Sequence, residues 1–134
     1  METYRGTVYP YQLDHMGHMN VQWYTAKFDE ATWHFFASIG ISPDYVKREE
    51  RGMAAVEQNT RYKSEVMAGD LLVVTTALLE VRDKTLRFLH TMRSAVDGRE
   101  IATTELTAVH LDLTKRKACS FPQTIRDAAS AIIE

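Results

Sequence analysis

The chain of 134 residues lacks several features that would assign it to a protein class at once. It has a single cysteine, Cys119, so no intrachain disulfide forms and no cysteine pair offers a zinc site. One lone thiol suits a reducing compartment. No charge sign dominates: 16 Lys and Arg face 18 Asp and Glu, for a net charge of −2. That argues against a general nucleic-acid binder, which needs a basic face, but leaves room for a local basic patch against a phosphorylated ligand. No apolar run approaches the roughly 18 residues of a membrane span. The start, Met1-Glu2-Thr3-Tyr4-Arg5, carries no apolar signal segment. There is no internal repeat, low-complexity stretch or linker. These absences lead to the expectation of one domain over 1–134, cytoplasmic, with no membrane or nucleic-acid partner. The remainder is ordinary for a globular chain, 45% hydrophobic and 25% charged.

The order of elements is readable from periodicity. Residues 3–9 alternate weakly and read as a short strand ending at Pro10. Residues 11–19 form a polar loop containing Gly17. From Asn20, a good N-cap, Val21, Tyr24, Phe28, Ala31, Phe35 and Ile39 recur at helical spacing as far as Gly40, a good stop. That helix of about 20 residues also carries Trp23, Trp33 and Phe36, so it is expected to be largely enclosed. Ser42-Pro43-Asp44 opens a short second helix running to about Arg51. Four strand-like runs follow, at 53–65, Leu71 to Val81, Thr85 to Val96 and Glu100 to Leu113, with Asp97-Gly98 as a hairpin signal. Gln123 to Ile133 reads as a terminal helix. Segregated helices and strands mean an α+β fold, an antiparallel sheet wrapped around one long central helix. The outer sheet face carries many apolar residues, which implies a dimer or larger assembly.

Chemistry concentrates in Asp14-His15-Met16-Gly17-His18-Met19-Asn20. The segment sets a carboxylate, two imidazoles and an amide just ahead of the long helix. A helix N-terminus has unpaired N–H groups and favours negative charge. Such groups can hold the oxyanion that forms when a carbonyl is attacked. A carboxylate there acts as general base or as nucleophile. Gly17 lets backbone approach a ligand. The bland alternative is that Asp14 caps a turn, His18 bonds at a helix end and Asn20 is only the N-cap. A metal reading, with Asp14, His15 and His18 as ligands, requires helical spacing across Gly17, which the glycine opposes. The other histidines, His34, His90 and His110, are far along the chain, so no metal or other cofactor is expected.

Residues 9–30 resemble the signature of the 4-hydroxybenzoyl-CoA thioesterase family, with Asp14, Gly17, Tyr24 and Asp29 at its Asp, Gly, Tyr and acidic positions. Asp14, His18 and Asn20 also resemble the Asp…His-x-Asn pattern of plant acyl-carrier-protein thioesterases, although Met16 stands where those carry Asn. The resemblance implies a hotdog fold, with active sites at a dimer interface near the start of the long helix. It implies an acyl-CoA thioesterase with Asp14 as catalytic carboxylate, backbone amides near Gly17 and His18 on the thioester oxygen, and His18 and Asn20 orienting groups there. In some hotdog branches an acidic residue arrives from the strand after the helices, where Glu57 lies. Trp23 and Tyr24 are candidates for the acyl pocket, or for a quaternary ammonium held by cation–π contact. Arg61 is a candidate for the CoA phosphates, which arginine binds best. Two alternatives stand: a hotdog dehydratase or hydratase, and a non-catalytic acyl-CoA-binding module. CoA and acyl-carrier-protein thioesters are not told apart by these residues.

Overall fold

A computed structural model describes residues 1–133. Strand β1 (Glu2–Thr7) leads through a 3₁₀ turn at Pro10–Gln12 to helix α1 (Val21–Ser38) and helix α2 (Pro43–Glu49). Strands β2 (Arg51–Tyr62), β3 (Leu71–Val81), β4 (Thr85–Ser94) and β5 (Glu100–Asp112) follow, then the two-residue β6 (Lys117–Ala118) and helix α3 (Gln123–Ile132). The strands form one sheet in the order β1-β3-β4-β5-β2, with β6 added to β5. This is the α+β hotdog arrangement expected from the sequence.

Local chemistry sets the boundaries. Ser42 caps α2, its Oγ accepting the Tyr45 N–H at 3.1 Å, and Pro43 opens the helix. Gly40, at φ +101°, takes the left-handed conformation that ends α1. Along β3 the inward positions Leu72, Val74, Thr76 and Leu78 alternate with half-exposed ones, as a sheet with one covered face requires.

Two compact units divide these elements: Met1–His34 with Thr60–Thr76 and His90–Thr104, and Phe35–Asn59 with Ala77–Leu89 and the chain from Glu105 on. Each has its own core. In the first, Tyr24, Phe28 and Ala31 of α1 pack with Leu72, Val74, Met92 and Ile101. In the second, Phe35 and Ile39 pack with Leu78, Phe88, Leu106 and Ile125.

Two expectations about α1 need correction. Val21 is 59% exposed, because as first helical residue it projects beyond the sheet-facing stripe. The helix is also less enclosed than its aromatic content suggests: Asp29, Glu30, Trp33 and His34 form an exposed face. Conversely, Lys27 is buried. Its ammonium donates to the Tyr4 hydroxyl at 3.0 Å and the Thr7 carbonyl at 3.3 Å, and burial holds its pKa below the usual lysine value.

Candidate functional site

The loop ahead of α1 is tied at both ends. Leu13 and Met19 form a β-bridge, and the Asn20 N–H donates to the Gln12 carbonyl at 2.8 Å. The Met19 N–H reaches out of the loop to the Val66 carbonyl at 2.9 Å. Inside this frame the Asp14 N–H donates to the His18 carbonyl at 2.8 Å, and the Gly17 N–H returns a bond to the Asp14 carbonyl at 3.1 Å. Gly17 sits at φ +82°, where a side chain is strained, and a Cβ built there meets nothing within 4 Å. The loop therefore presents bare backbone to open space.

The Asp14 side chain works within this loop. Its Oδ1 accepts the Met16 N–H at 2.8 Å and the His18 N–H at 3.3 Å. The Met16 amide bond holds the carboxyl below its ordinary pKa against the opposing effect of desolvation; the His18 amide and the imidazoles of His15 and His18 lower it further. Oδ2 has no hydrogen-bond partner among the described residues. The carboxylate is thus anchored by one oxygen and presents the other.

The other candidates divide between structural and open positions. Asn20 caps α1, its Oδ1 accepting the Gln22 N–H at 3.0 Å. The amides of Gly17 and His18 both point at oxygens of Asp14. His18 Nε2 stands 3.1 Å from Glu65 Oε2. Tyr24 is buried with its ring edge-on to Tyr62, at a centroid distance of 5.0 Å. Burial, followed by the fields of Tyr62, Glu65 and Asp14, raises its hydroxyl pKa. Trp23 is half-buried and meets Tyr11 edge-on at 5.5 Å. Arg61 is exposed on β2. Glu57 is exposed in the middle of β2, among the residues of the second unit, rather than at a strand start. Asp14, His18, Tyr24, Tyr62 and Glu65 therefore form one neighbourhood in the first unit. Glu65 went unnoticed in the sequence because the strand-like run 53–65 absorbed it, whereas β2 ends at Tyr62 and leaves Glu65 in the irregular segment before β3.

A cavity of about 690 Å³ lies in the second unit, bordered by Ile39, Tyr45, Arg48, Arg51, His110 and Ile125. None of the catalytic or substrate-binding candidates read from the sequence lines it. Its buried histidine is fully engaged: His110 Nδ1 donates to the Cys119 carbonyl at 3.0 Å, and Nε2 accepts from the Tyr45 hydroxyl at 2.9 Å. Its two arginines are already paired, Arg48 with Asp44 and Glu49, Arg51 with Asp112. In the Asp14 loop, by contrast, Asp14 Oδ2 has no hydrogen-bond partner among the described residues.

Known proteins resemble the chain along most of its length. Residues 8–129 match the profile of the thioesterase-like superfamily. An L-carnitine dehydrogenase/betainyl-CoA thioesterase of Agrobacterium fabrum is 32% identical over 116 residues, 87% of this chain. A protein of the same name from Ruegeria pomeroyi is 31% identical over 121 residues, 90% of this chain. The chain spans only 24% of the length of each of these relatives. Among solved structures, a hypothetical protein of Staphylococcus aureus in complex with CoA superposes with a TM-score of 0.92 at 23% identity, covering 98% of this chain and 84% of that one. With nine-tenths of its length inside the profile, the chain belongs to the thioesterase-like superfamily.

Proposed function

We propose that the protein hydrolyses an acyl-CoA thioester, with Asp14 as the attacking group. The observation that carries this reading is the half-anchored carboxylate: Oδ1 is held by two amides, while Oδ2 has no partner among the described residues. The lowered pKa keeps the group ionised, and the unpartnered Oδ2 can then attack the acyl carbon directly. Asp14 Oδ2 forms a bond to the acyl carbon, the C–S bond breaks, and CoA leaves as the thiolate. Water then cleaves the acyl–aspartyl anhydride, giving the free acid and restoring the carboxylate. The acyl oxygen is held by backbone amides near Gly17 and His18. The His18 amide, bonded to Oδ1 at the longer 3.3 Å, exchanges more easily than the 2.8 Å Met16 amide. In this reading Asn20 holds the helix end in place, and Arg61 contributes to the CoA phosphates.

Several further parts of the reading rest on the fold and the relatives. Edge strand β2, exposed from Ala55 to Asn59 with Val56 at 63%, fits pairing with a second copy of the chain. We therefore infer a homodimer or homotetramer. The relatives' name puts betainyl-CoA first among substrates to try. The Tyr11–Trp23 corner supplies ring faces on which a quaternary ammonium packs.

The test is thiol release from a panel of betainyl-, short-chain, branched, aromatic and long-chain acyl-CoAs, with Asp14→Ala alongside. The expected result is turnover on at least one substrate that falls about 100- to 1000-fold in the variant. Background rates for wild type on the whole panel would sink the reading. Hydration of an enoyl-CoA without thiol release would replace it with a hydratase, and saturable binding alone with a carrier module.

A further inference from the structure

The geometry around His18 points to Glu65 as a positioning residue for the water-activating step. This inference rests on the thioester-hydrolase reading given above, and it assigns the half of the reaction that Asp14 cannot perform for itself. Once the Asp14 carboxyl is tied up in the anhydride, it is no longer available to take a proton from water. Another base must stand close by.

His18 is next to Asp14 by construction. Its N–H reaches Asp14 Oδ1, and its carbonyl accepts the Asp14 N–H. Its imidazole is half-buried, with Nε2 3.1 Å from Glu65 Oε2. A carboxylate only accepts hydrogen bonds, so the pair is satisfied when Nε2 carries the proton and donates it. In the pair inferred here Nε2 carries the proton toward Glu65 and Nδ1 keeps its lone pair. Among the described residues, Nδ1 has no hydrogen-bond partner. The imidazole is oriented at one nitrogen and basic at the other, the arrangement a base in an oriented pair requires.

Two backbone features bring Glu65 there. The Met19 N–H bonds the Val66 carbonyl at 2.9 Å, which lays the loop against the segment following β2. The Ser64 hydroxyl and N–H bond the carbonyls of Glu100 and Ile101, which pins that segment to β5. Residues 18 and 65 are thus set side by side from two tied backbones. The nearest cation on that segment, Lys63, is engaged by Glu100 rather than by Glu65.

In the step assigned to this pair, a water oxygen bonds to the acyl carbon of the anhydride while one water proton moves to His18 Nδ1. The bond from the acyl carbon to Asp14 Oδ2 breaks and returns its electrons to the carboxylate. The imidazolium then releases its proton to solvent. Glu65 transfers no proton. It holds the tautomer and the ring.

The test measures thiol and free acid together in pre-steady state, on whichever substrate the wild type turns over, for wild type, Glu65→Ala, Glu65→Gln and Asp14→Ala. Glu65 is largely exposed, so its removal leaves folding intact, and melting curves verify this. The expected result for Glu65→Ala is a burst of about one thiol per subunit, followed by a steady state slowed at least tenfold and up to about 100-fold, with KM not raised. Glu65→Gln, whose amide oxygen can still accept from Nε2–H, restores most of the rate. Asp14→Ala shows neither burst nor turnover. A Glu65→Ala steady state equal to wild type overturns the inference, as does loss of the burst itself or failure of glutamine to restore the rate. Those outcomes leave the Asp14 reading standing. A wild type without turnover, or an active Asp14→Ala, removes that reading and this one with it.

Discussion

Two histidines of the same unit, His90 and His18, show how bonding separates structure from chemistry. His90 is fully buried on β4, stacked on Phe28. Its Nε2 faces the Thr32 hydroxyl at 2.8 Å and its Nδ1 the Thr76 hydroxyl at 2.7 Å. Thr32 spends its own proton on the Phe28 carbonyl, so it accepts from His90 Nε2–H. Thr76 then donates to Nδ1 and accepts from Thr3, whose hydroxyl is 2.8 Å away. Both nitrogens are used and the ring is locked. His18 has Nε2 3.1 Å from Glu65 Oε2, and its Nδ1 has no hydrogen-bond partner among the described residues. A saturated buried imidazole stabilises a core; a half-saturated one on a loop is available for proton transfer.

That contrast can be broken by substitution. The largest stability effect is expected for His90→Ala, which opens a cavity and strips partners from Thr32 and Thr76. Chemical denaturation should show a loss of about 2–5 kcal/mol. Acid titration comes next. Burial lowers the His90 pKa from 6.5 to about 4. Above pH 6.5 the ring is neutral in both folded and unfolded chains, so its contribution is complete there. Below pH 6.5 the unfolded chain takes the proton first. Stability then drains away as pH falls toward 4, by about 3 kcal/mol in all. Unfolding free energies measured across that window check the slope, and a flat profile would contradict a sealed neutral ring. A smaller loss, about 1–3 kcal/mol, is expected for Thr76→Val, which leaves Nδ1 without its donor. The smallest stability change, within about 0.5 kcal/mol, is expected for His18→Ala. That same variant should lose about 100-fold in steady-state thiol release. If His18→Ala unfolds the protein and His90→Ala does not, the contrast is reversed.

The sequence carried much of this account where the governing forces are local. Strand β3 runs from Leu71 to Val81 as its richness in Leu, Val and Thr predicts. The Asn20 cap and the positive φ of Gly40 bracket α1 as read. Asp14 and Gly17 stood out because a carboxylate and a bare glycine ahead of a helix have few other uses. What was hidden depends on contacts between distant segments. Lys27 is charged, so helical patterning assigns it to solvent; its burial follows from the Tyr4 hydroxyl and Thr7 carbonyl of β1. Glu65 gains its meaning from the Met19–Val66 backbone bond, which no spacing rule encodes. The 3₁₀ turn at Pro10–Gln12 and the short β6 are too brief for periodicity to reveal.

The central claim is that Asp14 does more than staple its own loop, and Asp14→Asn tests it directly. Asparagine keeps an oxygen for the Met16 and His18 amides but removes the charge and the attacking oxygen. Thiol release at saturating substrate should fall about 100- to 1000-fold, while the melting temperature stays near that of wild type. An Asp14→Asn protein that hydrolyses the same substrate at the wild-type rate would contradict the account.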